Sequence, residues 1–189
     1  MIGKEFVFVD VSNLWIEGQR KSAVKTGLAR NIWEAQVRHV LDFTWRIDVR
    51  GLHEVLVDWS DSRVALATLV GSSTENGMTW WEAARRAGFE IMARPRKSGS
   101  GEKGVDVALS GAVLKAAYGR MRPRVDSLTL VAGDADFVPL VADVRSLGLR
   151  VRVAFWQHAS ADMKDAADEF VELDHFFSHL TYRGGRLAA

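Results

Sequence analysis

A chain of 189 residues has room for one domain with a sizeable core. Hydrophobic residues make up 48% and charged residues 26%, which is ordinary for a globular protein, and the absence of cysteine excludes disulfides and thiolate metal sites. The 25 basic and 24 acidic residues give a net charge of +1, so a nucleic-acid partner would need locally concentrated positive charge. No apolar run is long enough to cross a bilayer, and the N-terminus lacks the layout of a signal peptide. We therefore expect a cytoplasmic protein without a membrane partner.

Five short apolar runs predict the strands of a buried sheet. They are residues 6–9, 55–57, 89–92, 128–131 and 151–155. The first and fourth runs are nearly continuous rather than alternating, which is typical of a strand covered on both faces. A parallel sheet with helices on both sides produces such strands.

Helical patterns lie between these runs. Asn31 is placed to cap a helix whose apolar face includes Trp33 and Val37. A capping-box pattern of Thr79 and Glu82 predicts the start of another helix. Further amphipathic patterns cover residues 105–116, 137–147, 160–168 and 174–180. Strands that alternate with helices predict an α/β fold with a central, mostly parallel sheet flanked by helices.

Acidic residues follow two of the predicted strands and open one predicted helix. Asp10 ends the first strand, and Asp134 and Asp136 follow the fourth strand, where Gly133 is expected to let the chain turn sharply. Asp106 lies in the first turn of its helix, where the partial positive charge of the helix terminus favours a carboxylate. Ligands of open parallel sheets bind beyond the carboxyl ends of the strands, so we expect these four carboxylates to meet.

Each aspartate also has an ordinary structural interpretation, as a turn former or a helix cap, and Asp136 could simply cap the helix at Phe137. As a cluster they carry more weight, because neighbouring carboxylates repel unless cations neutralise them. Oxygen ligands suit Mg²⁺ or Mn²⁺, and one or two such ions could activate a water for phosphodiester hydrolysis.

Three blocks of sequence resemble the signature blocks of the NYN domain family, most closely its LabA-like bacterial branch. The blocks are Asp10-Val11-Ser12-Asn13-Leu14, Lys103-Gly104-Val105-Asp106-Val107-Ala108-Leu109 and Ala132-Gly133-Asp134-Ala135-Asp136-Phe137-Val138-Pro139-Leu140. The resemblance extends from about Phe6 to Asp174. It implies a PIN-like three-layer fold and a ribonuclease that uses one or two Mg²⁺ or Mn²⁺ ions. The expected domain spans residues 1–180, followed by a flexible tail at 181–189.

Site residues follow from the resemblance, position by position. It implies catalytic metal ligands at Asp10, Asp106, Asp134 and Asp136. Asn13 matches a catalytic position that would orient Asp10 or bind a substrate phosphate, and Ser12 matches a substrate-binding position beside it. The implied reaction is in-line attack of a metal-activated water on RNA, which leaves 5′-phosphate and 3′-hydroxyl ends.

Basic residues bracket the glycine-rich loop that leads to Asp106. They are Arg94, Arg96, Lys97 and Lys103. These side chains could bind RNA phosphates beside the site, or they could be the ordinary charges of a solvated loop. Both interpretations stay open on the sequence alone.

Seven tryptophans are many for a chain of this length. Trp15 follows the Asn13 block and could stack on a base of single-stranded RNA. Trp33, Trp45, Trp80 and Trp81 are expected to fill the core or an interface, so a homodimer stays open.

Two other functions are compatible with the same residues. The first is a regulatory module that binds RNA without cutting it. The second is another metal-dependent phosphohydrolase, such as a DNA nuclease, because paired aspartates recur in phosphoryl-transfer sites. Cleavage of RNA but not of matched DNA would separate these functions.

Overall fold

The computed structural model describes residues 3–58, 60, 63–73, 78–95 and 104–184. Six strands form one parallel sheet: β1 (Lys4–Asp10), β2 (Arg63–Ser73), β3 (Glu90–Pro95), β4 (Ser127–Val131), β5 (Arg150–Phe155) and β6 (Glu169–Glu172). Their spatial order is β3-β2-β1-β4-β5-β6. The order therefore reverses between β1 and β4, and at such a switch point the connecting chains leave the sheet in opposite directions and open a crevice.

Seven α-helices connect the strands in the described part of the chain. They are α1 (Val11–Lys25), α2 (Ile32–Val37), α3 (Val49–His53), α4 (Met78–Ala87), α5 (Val105–Gly119), α6 (Val138–Ser146) and α7 (Ala161–Ala166). A π-helical turn continues α3, and short 3₁₀ turns precede α6 and follow β6. The predicted α/β fold with a central parallel sheet flanked by helices is confirmed.

The strand β1 runs through the middle of the molecule and separates two apolar layers. Val7 and Val9 pack with residues of α1, α3 and α4, whereas Phe6 and Phe8 pack with residues of α5 and α6. All four side chains are at most 2% exposed. This double burial explains the continuous apolar sequence of β1, since neither face of the strand meets water.

The second strand and the sixth strand differ from the sequence prediction. Residues 55–57 form no strand but lie in the π-helical turn Glu54–Asp58, where Leu56 is buried. The strand beside β1 is instead β2, whose alanines and leucines are equally compatible with a helix. The conformation of this segment is decided by its pairing with β1 and β3, which are distant in the sequence, so local sequence does not reveal it. The strand β6 follows a helix that ends at Ala166, earlier than predicted.

The helix α2 confirms its predicted cap, and its apolar face is open to solvent. Asn31 Oδ1 accepts a hydrogen bond from the backbone N–H of Glu34 at 2.8 Å. Trp33 is 69% exposed and Val37 is 57% exposed, so Trp33 does not fill the core, and its place in an interface stays a prediction. The helix α4 begins at Met78, so Thr79 is a helical residue and not its cap.

Carboxylates at the amino edge of the sheet are buried and fully engaged. Asp126 accepts hydrogen bonds from the backbone N–H groups of Lys4 (2.9 Å) and Arg122 (2.8 Å) and from the Arg122 guanidinium (2.8 Å). The Arg122 guanidinium holds the pKa of Asp126 far below its usual range. Glu5, also buried, accepts from Ser60 Oγ at 2.7 Å and from Arg152 Nη1 at 3.0 Å.

The end of the described chain is fastened beside α3. Thr181 forms an isolated antiparallel bridge with Ile47, and the N–H of Tyr182 donates to the carbonyl of Arg46 at 2.9 Å. Residues 185–189 lie outside the described residues, so the predicted domain boundary at residue 180 stays a prediction. None of the described helices has the length and apolar character needed to cross a membrane.

Candidate active site

Asp10 is the last residue of β1 and lies beside the switch point of the sheet. It is 4% exposed, although it is a carboxylate. Its Oδ1 accepts the backbone N–H of Asn13 at 3.0 Å, which caps the first turn of α1. Burial and the cap together fix this carboxylate at the carboxyl edge of the sheet.

Asn13 links the two sides of the switch point. Its Oδ1 accepts the backbone N–H of Gly133 at 2.9 Å, which joins the first turn of α1 to the segment that follows β4. Gly133 does not have a positive φ, so the predicted sharp turn is not the reason for glycine here. A Cβ at this position would lie 2.2 Å from Phe155 Cδ1, so glycine is required because the backbone passes directly over that ring.

Asp134 and Asp136 follow Gly133 and point their charge toward solvent. Both are exposed. Asp134 Oδ1 accepts the backbone N–H of Asp136 at 3.1 Å and caps the 3₁₀ turn Ala135–Phe137. Asp134, rather than Asp136, therefore has the capping role that the sequence left open. Neither carboxylate pairs with a cation of the described chain.

Asp106 lies in the first turn of α5 and is exposed. Its neighbour Val105 is 4% exposed and belongs to the same apolar layer as Phe8 and Val70. That packing fixes the N-terminus of α5, and α5 follows β3 in the chain, so its first turn lies on the carboxyl side of the sheet. The predicted aspartates thus come from three chain segments that reach one edge.

The four aspartates have the right donor atoms for a divalent cation, but their side chains are too far apart to bind one together. Carboxylate oxygens are the ligands that Mg²⁺ and Mn²⁺ prefer. Among the described residues, however, no three Asp, Glu, His or Cys side chains come together closely enough to hold a metal ion. The structure therefore brings the four aspartates to one edge without assembling them into a metal centre.

A polar stripe along α1 fastens this edge and was missed in the sequence. Asn13, Glu17 and Lys21 are four residues apart and share one face of the helix. Glu17 Oε2 lies 2.8 Å from His158 Nε2, and the Lys21 ammonium pairs with the Asp174 carboxylate. The spacing of polar residues on a half-buried helix was the available signal, but their partners lie more than 100 residues away in the sequence.

The remaining predicted residues are placed only in part. Ser12 is half-buried in the first turn of α1. The backbone of Arg94 pairs with Ser72 in the sheet, but its side chain lies outside the described residues. Arg96, Lys97 and Lys103 lie entirely outside the described residues. Contacts of these basic side chains with RNA stay a prediction.

The tryptophans near this edge pack on one another. The rings of Trp15 and Trp80 meet edge to face with centroids 5.3 Å apart, and Trp80 meets Trp81 in the same way at 5.0 Å. Trp81 is buried, while Trp15 and Trp80 are half-buried. Trp45 is also buried, stacked on Phe177 at 5.7 Å.

Comparisons with known proteins identify a family and a fold. A family model described as the NYN domain matches residues 5–174. A solved structure of a protein of unknown function from Vibrio parahaemolyticus is similar, with a TM-score of 0.66 and 22% identity, and the match covers 96% of this chain and 97% of that chain. At that identity the likeness shows the fold alone. No curated protein matches the chain.

Proposed function

Because the chain belongs to the NYN domain family, a family of PIN-like nucleases, we propose that it is a ribonuclease that uses Mg²⁺ or Mn²⁺. The bond hydrolysed is an RNA phosphodiester, and the site is the carboxyl edge of the sheet between β1 and β4. One observation carries the proposal. The hydrogen bond from Gly133 N–H to Asn13 Oδ1 holds the Asp134 segment against α1, whose first turn is capped by Asp10.

Electrostatics support a cation at this edge. Asp134 and Asp136 are two residues apart, exposed, and without a cationic partner in the described part of the chain. Asp10 and Asp106 add two further carboxylates at the same edge. A divalent cation that drew these carboxylates together would offset the repulsion between them. When bound, the cation would polarise the phosphodiester and lower the pKa of a water molecule that it holds.

Each residue of the edge has a role in the proposal. Asp10, Asp106, Asp134 and Asp136 provide the cation ligands. Asn13 keeps the segment after β4 beside β1, so it positions Asp134 rather than reacting itself. Ser12 and the basic residues before α5 bind the RNA phosphates. The carboxylates do not converge in the described structure, so the proposal requires the cation to draw them together, and cation binding is part of the test.

The first test is cleavage of labelled, mixed-sequence single-stranded RNA in Mn²⁺ or Mg²⁺, with an EDTA control. We expect cleavage that depends on the cation and is lost in Asp134→Asn. Asp143→Asn is the matched control, because Asp143 is an equally exposed aspartate but lies on α6, away from the strand ends. We expect this variant to cut as the wild type does.

The same experiment separates the two other functions. RNA that is bound but not cut by the wild type would replace the ribonuclease with a binding module. Equal cleavage of matched DNA, or of a small phosphate ester, would point to a broader phosphohydrolase. Calorimetric titration with Mn²⁺ completes the test, since a chain that binds no cation at millimolar concentration would contradict the proposed chemistry.

A further inference from the structure

The segment between α1 and α3 exposes large apolar side chains that no part of the described chain covers. Leu28, Trp33, Val37 and Phe43 are 58%, 69%, 57% and 73% exposed, and we call them the α2 surface. Burial of one such side chain stabilises a protein by roughly 1.5–3 kcal/mol. An isolated exposed residue is ordinary, but four within 16 residues of sequence mark a binding surface.

These side chains belong to one segment that is anchored on α1 at both ends, although they are not all on one helix. Trp33 and Val37 are four residues apart on α2 and share a face. The backbone N–H of Leu28 donates to the carbonyl of Ala23 at 2.8 Å. Ser22, the residue before Ala23, donates from its hydroxyl to Asp42, next to Phe43, at 2.7 Å. Both ends of the segment are thus anchored on the same turn of α1.

The exposed charge around the α2 surface is positive. Arg30 and Arg38 flank α2 with side chains 88% and 68% exposed, and both pair with Glu34, whose side chain is only 13% exposed. Lys25 and Arg46 are exposed as well. The other acids of the stretch, Asp42 and Asp48, are buried and accept hydrogen bonds from nearby backbone N–H groups or hydroxyls. Exposed cations therefore outnumber accessible acids at this surface, and the one accessible acid, Glu34, lies between Arg30 and Arg38.

This chemistry favours nucleic acid over the alternatives. Unpaired bases stack on exposed aromatic rings, and arginine binds phosphates and stacks on bases. A second copy of the chain is disfavoured, because each surface carries more exposed cations than acids and its one accessible acid, Glu34, is already paired with Arg30 and Arg38, so two copies would bring like charges together. The chain as a whole carries a net charge of only +1, so the exposed cations of this segment are the kind of local concentration that nucleic-acid binding needs.

We propose that the α2 surface binds a single-stranded stretch of the RNA substrate outside the cleavage site. Trp33 and Phe43 stack unpaired bases, and Arg30 and Arg38 bind the adjoining phosphates. The choice of RNA rests on the proposed function, whereas the surface itself does not.

The two RNA contacts lie at opposite ends of α1. That helix has 15 residues, so its ends are about 22 Å apart. Asp10 caps one end, and the α2 surface surrounds the other. An RNA that reaches both must be several nucleotides long, so the α2 surface selects substrates by length and by the absence of base pairing.

The test measures RNA binding without cleavage, by fluorescence anisotropy in EDTA with labelled RNA of about 16 and about 4 nucleotides. We expect Trp33→Ala and Phe43→Ala each to weaken binding of the longer RNA about tenfold, which is 1.4 kcal/mol and within the range for one stacked base. Arg30→Gln and Arg38→Gln should each reduce the salt dependence of log K by about 0.7. The shorter RNA should bind more weakly than the longer one, and a duplex should not respond to these substitutions, because its bases are already paired and stacked.

The matched control is Tyr118→Ala. Tyr118 is an aromatic residue that is 72% exposed, like Trp33, but it lies on α5, on the other face of the sheet. Binding by Trp33→Ala that equals binding by Tyr118→Ala would overturn the proposal and leave a protein partner as the occupant of the surface. Thermal melts check that all variants stay folded, as their exposure predicts.

Failure of the α2 surface proposal can be distinguished from failure of the proposed ribonuclease function. RNA bound through Trp33 and Phe43 but never cut in Mn²⁺ would support the surface and refute the ribonuclease. RNA cut in Mn²⁺ with the same KM in Trp33→Ala and wild type would support the ribonuclease and refute the α2 surface as an RNA-binding site.

Discussion

Aspartate side chains have different surroundings at the two edges of the sheet. At the amino edge, Asp126 is buried and accepts hydrogen bonds from two backbone N–H groups and from Arg122. At the carboxyl edge, Asp134 and Asp136 are exposed and have no cationic partner in the described chain. Asp126 is thus already satisfied within the fold, and the other two are not.

The contrast distinguishes carboxylates that hold the fold from carboxylates available to a ligand. A buried carboxylate is tolerated only with partners, and its partners then keep it ionised. An exposed pair of carboxylates contributes little to stability, so these two side chains are open to a ligand from solution. Substitutions at the amino edge should therefore change the free energy of unfolding, and substitutions at the carboxyl edge should change RNA cleavage.

The largest expected effect is on catalysis. Asp10→Asn should lower kcat by at least about a hundredfold, because loss of a cation ligand costs several kcal/mol of transition-state stabilisation. Asparagine caps a helix as well as aspartate does, so α1 should stay intact. Asp126→Asn should keep the wild-type kcat at a temperature where it is folded. An equal loss of kcat in both variants, measured on single-stranded RNA, would erase the contrast between the edges.

The next effect is on stability and its dependence on pH. Asp126→Asn should lower the free energy of unfolding at pH 7 by about 2 kcal/mol, because it weakens charge-assisted hydrogen bonds. The pKa of Asp126 is lower in the folded than in the unfolded chain, so this stability is complete above the unfolded value of about 3.9 and is lost as the pH falls below it. Urea titrations from pH 7 to pH 3 should show the gap to wild type narrowing in acid. A gap that widens in acid would show that the sign is wrong.

A comparable but purely steric effect is expected at the carboxyl edge. Gly133→Ala should destabilise the protein by about 1–3 kcal/mol, since the new methyl group would meet Phe155 at 2.2 Å. Phe155→Leu should partly restore the stability of Gly133→Ala by making room. Thermal denaturation of the single variants and the double variant measures this coupling, and additive losses would rule out the steric explanation.

The smallest effect is expected at the exposed pair. Asp136→Asn should change the free energy of unfolding by less than about 0.5 kcal/mol in EDTA. Millimolar Mn²⁺ should raise the Tm of the wild type but raise that of the variant less, because a ligand stabilises the state that binds it. Identical shifts in both proteins would remove Asp136 from the cation site.

Much of this architecture could be predicted from local sequence, and the exceptions have a common cause. The continuous apolar runs predicted β1 and β4, and the positions of Asp10 and Asp134 directly after predicted strands predicted that they would lie at one edge. The strand β2 was missed because alanine and leucine suit a helix equally well, and only pairing with β1 decides the matter. The exposure of the apolar face of α2 could not be predicted, because periodicity shows that a face is apolar and not what covers it.

The location of the four aspartates at one edge could be predicted from the sequence, but their geometry could not. Residue type and position in the chain indicated the aspartates, whereas their failure to converge depends on side-chain and backbone placement that no local pattern encodes. The Glu17 contact with His158 spans 141 residues of sequence, so it could be found only once the fold was known.

The polar stripe of α1 has a consequence for synthesis of the protein. Its three partners, Gly133, His158 and Asp174, lie 120, 141 and 153 residues beyond Asn13, Glu17 and Lys21. A chain emerging from the ribosome therefore exposes Asp10 long before it contains the segments that fasten α1 to the sheet. The contacts that fasten α1 at the carboxyl edge therefore form only after the last third of the chain has been translated.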